Sequence, residues 1–172
     1  MEALIKFYKK KKVFKGASEE DLKVLNDLGQ GRLPEDIITF FSQAMPSKNV
    51  DMGGFVLYPV SRIHEENINY VPGAFIYPMG FFTFASSLDG DAVCVDITKE
   101  NGCVYQCSHS LLSEDGISFY KKQMVHLELN YENIIKCSVK LADDFKHFIN
   151  KIRTGKMDSY DVTHYVIKNY SE

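Results

Sequence analysis

Residues 81–109, FFTFASSLDGDAVCVDITKENGCVYQCSH, decide how the chain is read. Phe81, Phe82, Thr83 and Phe84, then Val93, Val95 and Ile97, then Val104 and Tyr105 alternate with small or polar residues. Between these runs stand Asp89-Gly90-Asp91 and Lys99-Glu100-Asn101-Gly102. Asp-Gly and Asn-Gly favour tight hairpins because glycine accepts the positive φ that such turns require. The pattern predicts two or three adjacent strands joined by tight turns, with the rest of the chain packed on the meander.

Working outward, the N-terminal side reads as helical. Ser18 can cap the free amides of a helix opening on Glu19, Glu20 and Asp21, three carboxylates at the positive end of its dipole. Leu22, Val24, Leu25 and Leu28 follow, and Gly29 offers a stop. A second helix is predicted from about Leu33-Pro34, with Pro34 in its first turn, where a missing amide proton costs nothing. Ile37, Phe40, Phe41 and Ala44 give it a buried aromatic face, and Pro46 ends it. Phe55-Val56-Leu57-Tyr58 reads as the first strand. Residues 61–69 read as a polar helical turn or loop carrying His64, Glu65 and Glu66.

Beyond the meander, residues 112–116 are loop-like and residues 123–129 alternate as a further strand. Residues 141–153 form the last strong helix, with Leu141, Phe145, Phe148, Ile149 and Ile152 on one stripe and Thr154-Gly155 as its end. The tail from Met157 suits one more short helix anchored by Tyr160, Val162, Tyr165 and Val166.

The bulk numbers limit what such a chain does. Its 172 residues, 45% hydrophobic and 13% aromatic, suit one domain with a sound core. No run approaches the roughly 18 apolar residues of a membrane span, and Ala3-Leu4-Ile5 is too short for a secretory signal, so a soluble cytoplasmic protein is expected. Cys94, Cys103, Cys107 and Cys137 lack the paired close spacing of a zinc site. On one strand, the backbones of Cys103 and Cys107 stand about 13 Å apart, too far for a shared zinc or a disulfide. Reduced, buried or half-buried thiols are expected.

Charge is unevenly spread. Residues 1–16 carry six lysines against Glu2 alone, a net of +5, whereas the remainder carries 14 Lys and Arg against 22 Asp and Glu, a net of −8. Residues 1–17 therefore read as a basic N-terminal arm, a solvated end of the kind lysine runs usually make. No nucleic-acid reading motif accompanies the lysines, so nucleic acid is not the expected partner. A body of negative sign steers and holds a positively charged one.

Chemistry is thinly signalled. Asp89, Asp91 and Asp96 lack the further oxygen donors of a calcium loop, and a plain hairpin with solvated acids accounts for them. Ser86, Ser87 and Ser108 beside His109 suggest a nucleophile and base, but no glycine-flanked strand-to-helix elbow holds them. His64 and His126 have glutamates nearby, yet isolated histidines of this kind are usually structural or exposed. Gly29-Gln30-Gly31 follows no strand and lacks the third glycine of a dinucleotide-binding loop. Neither cofactor nor metal is expected.

Taken together, two N-terminal helices meeting before Leu33-Pro34 and an aromatic run, a G-x-x-L-Y-P strand, strands reaching Gly90-Asp91 and ending at Asp96, and a closing Leu141-Ala142-Asp143-Asp144-Phe145-Lys146-His147-Phe148-Ile149 resemble the SUKH superfamily, in particular its Smi/Knr-like group. The resemblance covers residues 20–152, and order and spacing carry it. It implies one α+β domain, a mostly antiparallel central sheet flanked by N-terminal helices and a C-terminal helix. The domain is expected over residues 18–155, with residues 156–172 as a C-terminal extension packed on it or trailing from it.

The resemblance also implies a non-enzymatic role. Bacterial members look like immunity proteins that neutralise polymorphic toxins, often nucleases, and fungal members look like scaffold regulators of cell-wall assembly. The acidic body fits the first role, since it could occlude a nuclease's basic groove by imitating phosphate. The expected contact surface is Glu65, Glu66, Asp89, Asp91, Glu114 and Asp115, facing a cognate toxin. The alternatives are a regulatory scaffold and a small metal-dependent hydrolase using the aspartates.

Overall fold

The computed structural model describes residues 1–170. Its frame is a six-stranded, wholly antiparallel sheet, assembled from β3 (Val50–Asp51), β4 (Phe55–Leu57), β5 (Phe81–Ser87), β6 (Ala92–Asp96), β7 (Val104–Cys107) and β11 (Ser138–Ala142) in the order β11-β7-β6-β5-β4-β3. The three central strands are the predicted meander. Gly90 takes φ 91° in the β5–β6 turn, as the hairpin signal requires. The β6–β7 connection is longer, and Gly102 at φ 57° lies under Pro34, where any side chain would collide with that ring.

Every residue of β5 and β6 is buried, because both faces of the sheet are covered. On one face, α3 (Glu35–Ala44) and α7 (Phe145–Arg153) bring Phe40, Phe41, Phe145 and Phe148 against Phe84 and Phe55, with ring centroids 5.2–5.7 Å apart in mostly edge-on arrangements. Elsewhere α4 (Val60–Ile68) packs on β5. There the Asn67 amide accepts from Thr83 N–H at 2.9 Å and donates to Thr83 O at 2.7 Å. Asn67 thus replaces a neighbouring strand where the β5–β6 register shifts between Thr83 and Ala85. Two short helical turns, α5 (Gly73–Ile76) and a 3-10 turn at Tyr77–Met79, lead from α4 into β5.

The capping signals are realised. In α2 (Glu19–Leu28), Ser18 and Asp21 form a reciprocal capping box. Gly29 closes that helix in right-handed geometry, and the left-handed residues are Gln30 and Gly31 beyond it. Pro34 sits one place before α3 rather than inside its first turn. Residues 61–68 lie in a full helix, α4, and Asn69 caps its end. Pro46 belongs to a two-residue strand, β2 (Met45–Pro46), paired with β1 (Phe14–Lys15). The predicted strand over residues 123–129 is β10 (Met124–Leu127), part of a separate ribbon with β9 (Gly116–Tyr120) and β8 (Leu112–Ser113).

Two expectations need correction. Leu141 and Ala142 are the end of β11, preceded by α6 (Tyr131–Lys136), and α7 starts only after Asp144 caps His147 N–H. Leu141 fits both a period of two with Val139 and the helical stripe, so the helix pattern absorbed it. The basic N-terminal segment is not a loose arm: α1 (Glu2–Lys9) buries Leu4, Ile5 and Tyr8. Tyr8 lies on Phe40 with centroids 5.6 Å apart, and its hydroxyl donates to Ile149 O at 3.3 Å. The C-terminal segment is packed on the domain, one of the two arrangements expected: Val162 and Val166 of α8 (Val162–Asn169) are buried and Tyr170 lies against Phe119, whereas Tyr160 and Tyr165, also expected as anchors, are exposed.

The thiols are free; Cys94, Cys107 and Cys137 are buried and Cys103 is half-buried. Cys94 and Cys107 face each other across β6 and β7 at 3.5 Å, and burial pushes the Cys94 thiol well up, away from thiolate chemistry.

Candidate functional site

The β5–β6 turn, the end of β7 and the segment before α8 meet at one end of the sheet, around Asp91. The Ser87 hydroxyl accepts the Asp91 N–H at 3.1 Å, and the Asp91 carbonyl accepts Ser87 N–H at 2.9 Å, so the turn is closed twice. The carboxylate, only 5% exposed, has three donors: His109 N–H at 3.0 Å and His109 Nδ1 at 2.9 Å on Oδ1, and Gln106 Nε2 at 3.0 Å on Oδ2. Gln106 also reads Tyr160 as a strand would, donating to its carbonyl at 2.8 Å and accepting its N–H at 3.0 Å. Ser108 Oγ meets Thr163 Oγ1 at 3.0 Å. A buried acid thereby locks the C-terminal segment onto the sheet.

The geometry also aligns Ser110, His109 and Asp91. Ser110 Oγ lies 3.2 Å from His109 Nε2, whose other nitrogen meets Asp91. This is the order of groups in a hydrolytic triad. Two observations separate it from one: Ser110 and His109 are both exposed to water, and the Ser110 N–H, which would face a developing oxyanion, donates to Ser108 Oγ at 3.2 Å. The imidazole serves to hold Asp91 and the turn.

Around this lock the surface is acidic and partly apolar. Leu88 is 60% and Tyr160 48% exposed, and Asp89, Asp158 and Asp161 lie open to solvent beside them. Contacts join the segments that carry these residues: Leu88 N–H donates to Gly54 O at 3.2 Å, Gly54 faces the Ser159 amide, and Gly90 faces the His109 ring.

The six carboxylates expected at the contact surface do not form one site. Asp89 is exposed at the lock. Asp91 is the buried centre of the lock, not a solvated acid. Glu66 is 6% exposed and paired with Arg62 at 2.6 Å, the guanidinium lying 4.3 Å from the Tyr70 ring and 5.7 Å from that of Tyr58. Burial pushes the Glu66 carboxyl up, and Arg62 opposes the shift. Glu65 is half-buried and accepts from Asn69 Nδ2 at 3.1 Å, while Glu114 and Asp115 are exposed at the β8–β9 turn. No hydrogen bond or ion pair among the described residues joins the three locations. Asp96 is buried as well, accepting from the Tyr131 hydroxyl and from Thr98 at 2.6 Å each. Sequence reading missed Gln106 and Leu88 and took the exposed Tyr160 for an apolar anchor; the one signal for Gln106 was an amide inside the apolar run Val104-Tyr105-Gln106-Cys107.

Away from the lock, an open groove of about 800 Å³ lies between the residue 31–36 turn, the β6–β7 connection and the start of α7. Arg32, Asp36, Glu100, Asp144 and Lys146 line it, with both charge signs mixed. Asp36 Oδ2 accepts Lys146 N–H at 2.9 Å, helping to cap α7, while its buried Oδ1 has no partner and burial pushes the carboxyl up. Among the described residues no group of three or more His, Cys, Asp or Glu is placed to hold a metal ion, and no helix is long and apolar enough to cross a membrane.

The fold and this end-of-sheet lock define an α+β domain in which a buried, hydrogen-bonded acid stands behind an exposed rim. The family model described as SMI1 / KNR4 family (SUKH-1) matches residues 16–151, and the chain belongs to that family. No curated protein and no solved structure matches the chain. Helix α1 and the whole C-terminal segment after α7 lie outside the matched range.

Proposed function

We propose that the chain is a non-enzymatic protein-binding module, an immunity protein that neutralises a toxin by covering a basic surface on it. The observation that carries the reading is the rim at the end of the sheet: Asp89, Asp158 and Asp161 around the exposed Leu88 and Tyr160, on a backbone pinned by Asp91 and Gln106. Tyrosine with a flanking apolar residue supplies contact area at small entropic cost, and a ring of one charge steers an opposite partner and fixes its register. A rigid platform of this kind binds without paying to order a loop. Family membership supports a role at the level of immunity or regulation.

The test is capture of the partner from the source cell on immobilised protein, with Asp89→Lys and Tyr160→Ala beside it, and protection of cells against a toxin encoded next to the gene. Salt-sensitive capture that both variants weaken, together with protection, supports the reading. Capture and protection that neither variant alters would move the interface away from this rim, and failure of both assays with the unaltered protein would end the immunity reading.

A further inference from the structure

The lysines of the N-terminal segment read as a solvated end in the sequence, and the structure gives them a different setting. With Leu4, Ile5 and Tyr8 buried, α1 is fixed with Lys6, Lys9 and Lys10 outward. Its neighbour is α7: the Arg153 guanidinium sits 5.6 Å from the Phe7 ring centroid, and Lys11 Nζ lies 5.8 Å from the same ring. Between the two helices runs a cleft of about 350 Å³ lined by Ala3, Leu4, Lys146, His147, Asn150 and Arg153. On the other flank of α1 a depression of about 440 Å³ is lined by Ile5, Lys6, Lys9 and Lys10 with Glu2 and Gln43. Carboxylates also border this face: Glu2, Asp144, which is paired with His147 at 2.9 Å, and Asp36, which accepts the Lys146 N–H at 2.9 Å.

We propose that the basic face of α1 and α7 is a docking surface for the phosphate backbone of a nucleic acid, held without regard to sequence. Such binding requires cations at the spacing of a backbone and no base-reading motif, so the missing motif does not count against it. Lys6 and Lys10 stand one helical turn apart, roughly 6 Å, with Lys9 between them, and Arg153 supplies a cation from the second helix. Two concave flanks suit a strand better than a flat bilayer. An amphipathic helix anchors in a membrane through an apolar face, and that face of α1 is spent on the core, with cations over its exposed Phe7 ring. This face contains none of Leu88, Asp89 or Tyr160, so the inference stands apart from the immunity reading.

The probe is a fluorescein-labelled polyuridine of about 20 nucleotides, followed by anisotropy as salt rises from about 50 to about 200 mM. Four phosphate contacts weaken single-strand binding about fifty-fold over that range. Lys6→Gln/Lys9→Gln/Lys10→Gln is expected to bind at least about tenfold more weakly at low salt and with a shallower salt slope. Arg153→Gln, which keeps every lysine of α1, must weaken binding in the same direction, whereas Lys121→Gln/Lys122→Gln on the β9–β10 turn must not. No binding at low salt, an unchanged slope in the triple variant, adhesion to phosphatidylserine vesicles without RNA binding, or salt-reversible self-association in place of RNA binding would each overturn the proposal.

Discussion

The carboxylate of Asp91 accepts from both the backbone N–H and the ring of His109, at 3.0 and 2.9 Å, so one buried acid fixes the direction in which β7 leaves the sheet. Asp89, two residues earlier, is exposed. The two therefore respond oppositely to substitution. Asp91→Ala takes the acceptor from the His109 N–H and from one of the two hydrogen bonds of Gln106 Nε2, a cost of about 3 kcal/mol, read as a lower denaturant midpoint. Asp89→Lys leaves the midpoint within about 0.5 kcal/mol and slows association with the captured partner. Equal stability losses in both variants would contradict this division.

Gln106 ties Asp91 to Tyr160 through three hydrogen bonds. Gln106→Leu keeps the volume and removes all three, so about 2–3 kcal/mol is lost and the segment before α8 loosens first. Hydrogen exchange should quicken at the Tyr160 amide by about two orders of magnitude while the β5 and β6 amides, deep in the sheet, change less. Uniform acceleration across the sheet would show that the C-terminal segment is not held by this lock.

How far the sequence foretold this structure depends on how far apart the cooperating residues lie. The Ser18 cap, the Ile37–Phe40–Phe41–Ala44 face and the glycine of the β5–β6 turn act within a few residues, and each was readable. The burial of Glu66 was not, because it depends on the fold of α4 around Arg62 and on Tyr58, two elements that read as a loop and a strand. Asp91 was harder still: its partners Gln106 and His109 are 15 and 18 residues away, and Tyr160 is 54 residues beyond Gln106. For α1, the lysines masked a stripe of only three apolar residues, and Phe40, which it covers, lies in another helix. Strand β11 was lost because Leu141 serves two periods at once.

Asp36 gives a pH test. Burial raises its folded-state pKa above the ordinary 3.8, so the charged form is disfavoured in the folded protein. Its contribution to stability is fully present below pH 3.8 and is lost as pH rises through the folded value. Asp36→Asn keeps an acceptor for Lys146 N–H and cannot ionise. The stability difference, unaltered protein minus variant, is therefore expected to grow on acidification from pH 6 towards pH 3.8 and to stay flat above the folded pKa. Paired urea titrations across that range measure it, and a difference that shrinks on acidification would reverse the assigned shift.

The Ser110–His109–Asp91 alignment supplies the sharpest test of a role without bond-making. A serine activated by His109 would be alkylated by a fluorophosphonate and would turn over p-nitrophenyl acetate. Here the imidazole is open to water, and the Ser110 amide is engaged by Ser108. A tetrahedral oxyanion is stabilised in dry surroundings by free donors, and this serine is wet and its own amide is engaged. Intact-mass analysis is expected to find Ser110 unmodified, and His109→Ala and Ser110→Ala to leave background ester hydrolysis unchanged. His109→Ala is expected instead to lower stability by about 1–2 kcal/mol through the bond lost to Asp91, while Ser110→Ala stays within about 0.5 kcal/mol. Stoichiometric labelling of Ser110 that depends on His109 would make this end of the sheet an active site and overturn the binding-only reading.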